Sequence, residues 1–398
     1  MSDLASHRRQ HILCVNAGSS SLKLALYEFS QGCERLLIEG VTEEITSPRG
    51  TIRIQLAGEP KQVETGYFPD HQTALDLLLR RFHAHGMPAM DAAGHRVVHG
   101  GADYQGPMRI TPAVFEHIAE LTHLAPLHLP ANLACIDALS ARMPKLPQVA
   151  CFDTAFHGRM PDVAKRLPLP HAFWEQGLRR YGFHGLSYES VLEQLPAARH
   201  GQTIIAHLGN GASLAAVADG TPLDTTMGFT PTGGIMMGTR SGDLDPGVLV
   251  YLMRRNDYDV DAIERLVNRE SGLKGVSGVT SNMEILLSRA QDLQCNAAIE
   301  LFVHQIRRSI GALSAVLGGL DRLVFTGGIG ERAAPIREMI CTNLGYLGVS
   351  IDSERNRRHD PCISASAANC RVFVVPTNED LVIARHTNGV LMSSADSI

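Results

Sequence analysis

The chain has 398 residues, of which 44% are hydrophobic and 19% are charged, and its formal net charge is −5. Since single domains usually have about 100–200 residues, this length predicts two domains with a sizeable buried interior. The slightly acidic balance provides no basic surface for nucleic acid or for an anionic membrane, and no apolar run reaches the roughly 18 residues that a membrane span needs. The composition therefore argues against nucleic-acid-binding and membrane-embedded classes.

The N-terminal sequence MSDLASHRRQH is polar and lacks the apolar segment of a signal peptide, which predicts a cytoplasmic protein. The eight cysteines contain no C-x-x-C pair, so neither a zinc knuckle nor a disulfide framework is indicated. We interpret the cysteines as mostly buried thiols.

Residues 12–27 predict a strand, a tight turn of small residues and a second strand. Small side chains in the turn let backbone N–H groups approach an anion closely. By the two-residue period of a strand, Lys23 lies on the face opposite to Leu22, Leu24 and Leu26. Lys23 is therefore either a phosphate ligand or a lysine on a solvated strand face.

Residues 204–219 repeat this pattern, so the chain contains two glycine- and serine-rich hairpins. Two such hairpins, each heading its own domain, resemble the phosphate-gripping hairpins of the actin, hexokinase and chaperone superfold. A phosphate would then lie between them. The alternative is two unrelated glycine turns.

Further elements are predicted from hydrophobic periodicity and from turn and capping residues. Strands are predicted at residues 51–63, 149–157, 322–326 and 372–376, and helices at residues 72–85, 247–256, 261–270, 283–317 and 381–386.

Two charged residues stand out in the first half. Arg96 lies inside the apolar strand of HRVVHGG and needs an anionic partner, because a buried unpaired charge is costly. This partner is either a ligand or a structural carboxylate. Asp153 lies at the C-terminal end of a predicted strand, where ligand sites in α/β sheets are found.

The second half carries three more candidates. His184 lies between glycines in RRYGFHG, although a lone histidine is more often structural than catalytic. Arg240 is the single arginine of the long irregular loop at residues 237–247, and long loops of this kind tend to be functional. Glu379, in the segment that caps the last predicted helix, is either a ligand or a first-turn charge favoured by the helix dipole.

Eight motifs follow one another over nearly the whole chain, namely NAGSSSLK, HRVVHGG, FDTAFH, RRYGFHG, HLGNGAS, MGTRSGDLDPG, TGGIGE and NEDLVIAR. Together they resemble the acetate kinases. The resemblance implies reversible phosphoryl transfer from ATP to acetate, giving ADP and acetyl phosphate, with Mg²⁺ or Mn²⁺. Propionate and butyrate kinases share many of these motifs.

The resemblance also implies an α/β fold of two actin-like (ribonuclease H-like) domains with a duplicated core, a cleft between them, and assembly as a homodimer. We expect residues 11–157 together with 384–396 to form the N-terminal domain. Residues 158–383 are expected to form the C-terminal domain, which binds the nucleotide and provides the dimer interface.

The residues suit this chemistry. A carboxylate such as acetate ionises near pH 4, so it is already a nucleophile at neutral pH and needs no general base. The difficulty is repulsion between anions, which arginines and a metal ion relieve by positioning and charge stabilisation. Arginine suits this task because its planar fork binds carboxylate and phosphate oxygens in pairs.

By their match to the family motifs, Arg96 and Arg240 hold the carboxylate and the transferring phosphoryl group, and His184 donates to a phosphoryl oxygen. Asn16 and Glu379 are the implied metal-binding residues, with Asp153 beside the metal and the substrate. The implied nucleotide-binding residues are Lys23, His207, Leu208, Gly209, Asn210, Gly211, Asn282, Met283, Glu284, Gly327, Gly328, Ile329 and Gly330. The implied pocket for the substrate methyl group consists of Val98, Leu127, Phe183 and Pro231.

Three segments depart from the family pattern. Residues 232–234, Thr-Gly-Gly, replace a usual Leu-Glu-Gly, which predicts a smaller and more mobile pocket wall. Leu129 stands where asparagine is common. Residues 282–284, Asn-Met-Glu, replace Asp-Phe/Met-Arg, which contacts ribose and adenine in the family, and this replacement puts base selectivity in doubt.

Two functions from different classes remain open, a short-chain carboxylate kinase and a non-catalytic nucleotide switch of the same fold. Arg96 and Arg240 favour the kinase, because a switch does not need a second anion site beside the phosphates.

Overall fold

The computed structural model describes residues 9–196, 201–255 and 257–395. Residues 1–8, which form most of the N-terminal segment used to predict the absence of a signal peptide, lie outside this range. Residue 396, the last residue of the predicted N-terminal domain, also lies outside it. The strands are β1 (Gln10–Ala17), β2 (Ser21–Ser30), β3 (Cys33–Glu43), β4 (Gly50–Leu56), β5 (Gln62–Gly66), β6 (Ala92–Val97), β7 (Met108–Arg109), β8 (Gln148–Phe152), β9 (Gln202–Leu208), β10 (Ala212–Ala218), β11 (Thr221–Thr225), β12 (Arg322–Thr326) and β13 (Arg371–Val374).

The helices are α1 (His71–Ala84), α2 (Pro112–Glu120), α3 (Leu129–Arg142), α4 (Asp162–Lys165), α5 (His171–Glu175), α6 (Gly185–Gln194), α7 (Pro246–Arg254), α8 (Val260–Arg265), α9 (Gly272–Ser277), α10 (Met283–Ser288), α11 (Leu293–Leu317), α12 (Gly327–Arg332), α13 (Ala334–Cys341), α14 (Ser353–Arg357) and α15 (Glu379–Ala395). None of these described helices is both long and apolar enough to cross a membrane. All eight cysteines are free thiols, and most are buried.

The described residues form two compact units, residues 9–156 with 378–395 and residues 157–377. In the first unit the sheet has the order β5-β4-β3-β2-β1-β6-β8-β7. Strand β1 is antiparallel to β2 and parallel to β6, and β6 is parallel to β8. The carboxyl ends of β1, β6 and β8 therefore lie at one edge of the sheet, which positions the residues that follow them.

The predicted two-sided pattern of β2 is confirmed. Leu22, Leu24 and Leu26 are fully buried in the cluster that includes the apolar stripe of α1. On the other face, Lys23 pairs in register with Asn16 of β1, and helix α15 packs against this side. The helix covers part of this face, and the Lys23 side chain is 37% exposed.

The sheet of the second unit repeats the same core, in the order β11-β10-β9-β12-β13. Its first three strands form two antiparallel pairs, and β9, β12 and β13 are parallel. The long helix α11 packs on β10 and β11. The predicted second hairpin is thus β9–β10, and the two units have duplicated cores.

Some predicted elements are broken in the structure. Residues 51–63 form two strands, because Gly58 adopts a left-handed φ of 82° in the turn between β4 and β5. The strand predicted to reach residue 157 ends at Phe152 and is followed by a 3₁₀ turn at Ala155–Arg159. The long helical stretch in the second half divides at Asp292, which caps the N-terminus of α11.

Candidate active site

Four residues that lie far apart in the sequence form one polar cluster in the first unit. Arg96 in β6 donates from Nε and Nη2 to Asp153 Oδ2, at 2.9 and 2.6 Å. Its Nη1 donates to Asn16 Oδ1 at 3.1 Å, and Glu379 Oε2 lies 3.9 Å from Arg96 Nε. Of the two partners considered for Arg96, a ligand or a structural carboxylate, the structure shows the carboxylate of Asp153, which directly follows β8.

The cluster is buried on the side of its carboxylate. The side chain of Asp153 is 1% exposed and that of Arg96 is 22% exposed. Burial by itself would lower the pKa of Arg96, but the carboxylates of Asp153 and Glu379 outweigh burial and hold this pKa above its usual value. Arg96 is thus a permanent cation, fixed in direction by Asp153 and Asn16.

Asn16 and Glu379 supply the oxygen atoms that a hard divalent cation prefers. Asn16 Nδ2 donates to Glu379 Oε2 at 3.3 Å, so the carboxylate and the amide are adjacent. Among the described residues, no group of three or more His, Cys, Asp or Glu side chains is arranged to hold a metal.

The amine of Lys23 is paired with two carboxylates. Its Nζ lies 2.8 Å from Asp380 Oδ2 and 3.2 Å from Glu39 Oε2. Burial favours a lower pKa for Lys23, but the two carboxylates outweigh it and raise this pKa.

In the second unit, His184 precedes α6 with a left-handed backbone, φ 62° and ψ 24°. A residue other than glycine in this region stores of order 1–3 kcal/mol of strain, and such residues cluster at functional sites. Its Nδ1 is 2.8 Å from Ser213 Oγ, and its ring stacks on His207 with the ring centroids 4.3 Å apart. The ring of His184 is therefore held on two sides.

Further hydrogen bonds fix the residues that surround His184. Burial lowers the pKa of His157 to about 4, so its neutral ring donates from Nε2 to the carbonyl oxygen of Phe183 at 3.0 Å. Tyr188 hydrogen-bonds Ser213, and Ser187 Oγ lies 2.8 Å from His207 Nδ1.

The tip of the second hairpin brings His184 and Arg240 together. A Cβ built on Gly211 would lie 3.2 Å from His184 Nε2 and 3.4 Å from Arg240 Nη1. Arg240 Nη1 also donates to the carbonyl oxygen of Pro231 at 3.1 Å. A side chain on Gly211 would occupy the space beside both His184 and Arg240.

The Arg240 loop, although irregular, is tied to its surroundings. Gly238 N donates to Asn210 O at 2.9 Å, and Ser241 N donates to Val267 O at 2.9 Å. A Cβ on Gly238 would lie 2.0 Å from Asn210 Oδ1, so the hairpin and the loop approach each other closely because residue 238 is glycine.

A cavity of about 600 Å³ adjoins this hairpin within the second unit. Seven of the predicted nucleotide-binding residues line it, namely Gly209, Asn210, Asn282, Met283, Glu284, Gly328 and Ile329. Gly327 begins α12, so the glycine segment that follows β12 forms the first turn of a helix. His207 and Leu208 end β9, and Gly330 is buried inside α12.

The segment that is predicted to contact the base, residues 282–284, has a local role as well. Asn282 Oδ1 accepts from the backbone N–H groups of Glu284 and Ile285 and so caps α10. Arg332 lines the same cavity, and its Nη2 would lie 2.7 Å from a Cβ on Gly328. Arg337, in contrast, is fully buried and donates to Asn356 and to two backbone carbonyls, so it does not reach a ligand.

The predicted apolar residues are divided between the units. Val98 is buried and Leu127 half-buried in the first unit, and Phe183 and Pro231 are buried in the second. Leu129 is fully buried at the start of α3. In the Thr-Gly-Gly segment, Gly234 N donates to Asp243 Oδ1 at 2.7 Å and Gly234 O accepts from Asp243 N at 2.7 Å, which anchors this wall.

Sequence reasoning missed the residues that hold the candidates in place. Ser187 and Tyr188 follow His184 at helical spacing, a signal that could have identified them. Asn132 gave no such signal, yet it is buried, donates to Ala17 O at 2.8 Å and accepts from Val98 N at 3.1 Å.

Comparison with known proteins identifies the family. Residues 11–385 match the model of the Acetokinase family. The chain belongs to this family. It is 44% identical over 391 residues to an acetate kinase of Rhodopseudomonas palustris, an alignment that covers 94% of this chain and 97% of that protein. It is also 42% identical over 387 residues to a propionate kinase of Citrobacter rodentium, covering 94% and 95%.

A solved structure supports the same conclusion. The crystal structure of Porphyromonas gingivalis acetate kinase superposes with a TM-score of 0.85 at 37% identity, covering 96% of this chain and all of that one. The fold of this family member is therefore actin-like, with the duplicated core expected from the two hairpins.

Proposed function

We propose that this chain is an acetate kinase that transfers a phosphoryl group reversibly between ATP and acetate, with ADP and acetyl phosphate as the products. The observation that carries the proposal is Arg96, a cation fixed by Asp153 in a member of the acetokinase family. A nucleotide switch does not need this second anion-binding arginine.

The reaction assigns a task to each cluster. Arg96 and the apolar residues Val98, Leu127, Phe183 and Pro231 bind the short carboxylate, which is ionised at neutral pH and attacks without a general base. Arg240 and His184 stabilise the charge on the phosphoryl oxygens. Asp153 orients Arg96 and lies next to the reacting groups.

The nucleotide is held mainly through its phosphates. Backbone groups near the cavity come from Gly209 and Gly211 of the hairpin and from the glycines that begin α12. Anions are favoured at a helix N-terminus such as that of α12. Lys23, His207, Leu208 and Asn210 are the family-matched neighbours of these groups. When bound, Mg²⁺ or Mn²⁺ would neutralise charge between phosphates, and Asn16 and Glu379 would hold it.

A hydroxamate assay for acyl phosphate, with acetate, propionate and butyrate as substrates, tests this proposal. Since one methylene changes discrimination by about 1–3 kcal/mol, we expect acetate to exceed propionate in kcat/KM by roughly 10–200-fold. Equal values, or a preference for propionate, would contradict the acetate assignment and favour a propionate kinase. The absence of any acyl phosphate would leave the nucleotide switch.

Base selectivity is expected to be weak. Glu284 places a carboxylate in the cavity wall where the family has an arginine, and Asn282 uses its amide oxygen to cap α10. We predict that GTP or ITP supports kcat/KM within about tenfold of ATP, which corresponds to roughly 1.4 kcal/mol. An ATP preference above about a hundredfold would contradict this prediction.

Arg332 provides the alternative, because its guanidinium could stack on a purine in place of the missing arginine. If it does, Arg332→Ala lowers kcat/KM for ATP and GTP while leaving KM for acetate unchanged. The paired change Asn282→Asp with Glu284→Arg should sharpen the preference for ATP. Arg337 does not serve this role, because it is fully buried.

We also propose that two copies of the chain associate through α7. This helix has no buried residue, and Val248, Val250, Tyr251 and Met253 are between 43% and 58% exposed. Such an apolar surface is typical of an interaction site. Light scattering should give twice the chain mass, and Tyr251→Glu should lower it. The control is Val163→Glu, which also replaces an exposed apolar side chain by a carboxylate but lies outside α7, at a position that is 83% exposed. A monomeric unmodified chain would overturn the proposal.

A cytoplasmic location suits both the chemistry and the thiols. ATP and acetyl phosphate are intracellular co-substrates, and eight free cysteines suit a reducing compartment. Neither nucleic acid nor a membrane is required for the proposed reaction.

A further inference from the structure

A single turn of π-helix, Leu266–Glu270, directly follows α8 in the second unit. Turns of this kind are rare and are often found at functional sites. This one contacts two loops of the candidate site. The first is the wall segment, residues 231–234, which contains the Thr-Gly-Gly departure from the family pattern, and the second is the Arg240 loop.

The wall segment is joined to the π-helical turn by a bond between two side chains. Thr232 Oγ1 donates to Asn268 Oδ1, and both residues are half-buried. Asn268 Nδ2 donates to Glu264 O at 3.0 Å, which fixes the orientation of the amide. The leucine that the family usually has at position 232 carries no hydroxyl group, so this bond is a property of the departure itself.

The residues on both sides of Arg240 contact the same turn. Thr239 Oγ1 donates to the backbone carbonyl of Asn268 at 2.9 Å. Ser241 N donates to Val267 O, also at 2.9 Å. The π-helical turn therefore holds the backbone that carries Arg240.

The wall segment and the Arg240 loop also contact each other. Arg240 Nη1 donates to Pro231 O at 3.1 Å, and Gly234 N donates to Asp243 Oδ1 at 2.7 Å. The wall segment, the π-helical turn and the Arg240 loop thus each contact the other two. A displacement of the wall segment would change the position of Pro231 relative to Arg240.

We propose that Thr232 is a positioning residue that determines acyl-chain selectivity, because its bond to Asn268 fixes Pro231 at a set distance from Arg240. This inference rests on the proposed binding of the short carboxylate beside Pro231. The bond offsets the backbone freedom that two successive glycines after Thr232 introduce. A fixed wall excludes a longer acyl chain, whereas a mobile wall admits it.

Three variants isolate the hydroxyl group of Thr232. Thr232→Val keeps the shape of the side chain but removes the donor, and Thr232→Ser keeps the donor. Asn268→Ala leaves the hydroxyl group in place and removes its acceptor. The matched control is Thr342→Val, because Thr342 is exposed at the end of α13, outside the proposed site, and its Oγ1 donates to Glu338 O at 2.8 Å.

The first measurement is the ratio of kcat/KM for acetate to kcat/KM for propionate in the hydroxamate assay. In Thr232→Val and Asn268→Ala we expect this ratio to fall about 3–10-fold from that of the unmodified chain, which corresponds to about 0.7–1.4 kcal/mol. One hydrogen bond typically contributes a free energy in this range. Thr232→Ser and Thr342→Val should keep the ratio within a factor of about 2. KM for ATP should be unchanged in all four variants, because none of them replaces a residue that lines the nucleotide cavity.

Hydrogen–deuterium exchange followed by mass spectrometry gives a readout that does not depend on turnover. Thr232→Val should accelerate exchange in the peptides that cover residues 231–234 and residues 237–243, because both segments are supported by the π-helical turn. Thr342→Val should leave exchange in these peptides unchanged.

Four results would overturn the proposal. An unchanged ratio in Thr232→Val would show that the bond does not affect selectivity. A lower ratio in Thr232→Val with an unchanged ratio in Asn268→Ala would show that Thr232 acts on the substrate directly. A Thr232→Ser variant as impaired as Thr232→Val would assign the effect to the methyl group. An equal loss of kcat/KM for both acids, together with a lower Tm, would show a purely structural bond.

Failure of the proposed function is a separate result, since it shows as absent acyl phosphate in the unmodified chain. The exchange measurement would then still test whether Thr232 holds the two loops.

Discussion

Replacing Arg240 by alanine is expected to lower kcat by on the order of 10³ or more, as arginines that stabilise a transferring phosphoryl group do. Its Nη1 lies beside Gly211 and next to His184 Nε2, so the two donors converge on one point of the second hairpin. Arg240 Nη1 donates to the carbonyl oxygen of Pro231, which is a neutral group, and we expect the fold to persist in Arg240→Ala. The hydroxamate assay and the Tm of the variant measure the two effects separately.

A matched control is Arg307→Ala. Arg307 also donates to backbone carbonyls, those of Met339 and Ile340, but lies outside the proposed site. It should retain turnover near that of the unmodified chain. If Arg240→Ala retains near-native kcat, Arg240 has no part in the mechanism. If both variants lose activity together with Tm, the loss reports folding and not catalysis.

Replacing Arg96 is expected to impair both turnover and stability. Asp153 is 1% exposed, so Arg96→Ala leaves a buried carboxylate without its cation. Breaking a buried pair in this way typically costs about 3–5 kcal/mol of unfolding free energy. Loss of the carboxylate-binding cation should lower kcat by on the order of 10³ as well. Denaturant unfolding and the hydroxamate assay measure the two losses.

Arg96→Lys separates the two effects. Lysine keeps the positive charge beside Asp153 but lacks the planar fork that donates to Asp153 and Asn16 together. We therefore expect partial recovery of stability with little recovery of kcat. Equal recovery of both would show that the charge alone matters. Unchanged unfolding free energy in Arg96→Ala would contradict the importance of the buried pair.

Local patterns in the sequence predicted the elements well. The two-residue alternation of β2 placed Leu22, Leu24 and Leu26 on a buried face, and the apolar stripe of α1 was confirmed. The repeated glycine- and serine-rich segment correctly predicted a second hairpin and hence a duplicated core. The anionic partner that Arg96 required is present as Asp153. The elements depend on periodicity and turn chemistry, which act between residues close in the chain, whereas the need of Arg96 for an anion follows from the cost of burying an unpaired charge.

The partners of the polar side chains depended instead on tertiary contacts. Asp153 meets Arg96 because β8 lies parallel to β6, and Asp380 meets Lys23 because α15 returns to the sheet from the far end of the chain. Arg332 and Arg337 are five residues apart and look alike in sequence, yet one lines the cavity and the other is fully buried. Such choices arise from packing between distant segments, because a side chain's charge determines that it needs a partner but not which segment brings one within reach.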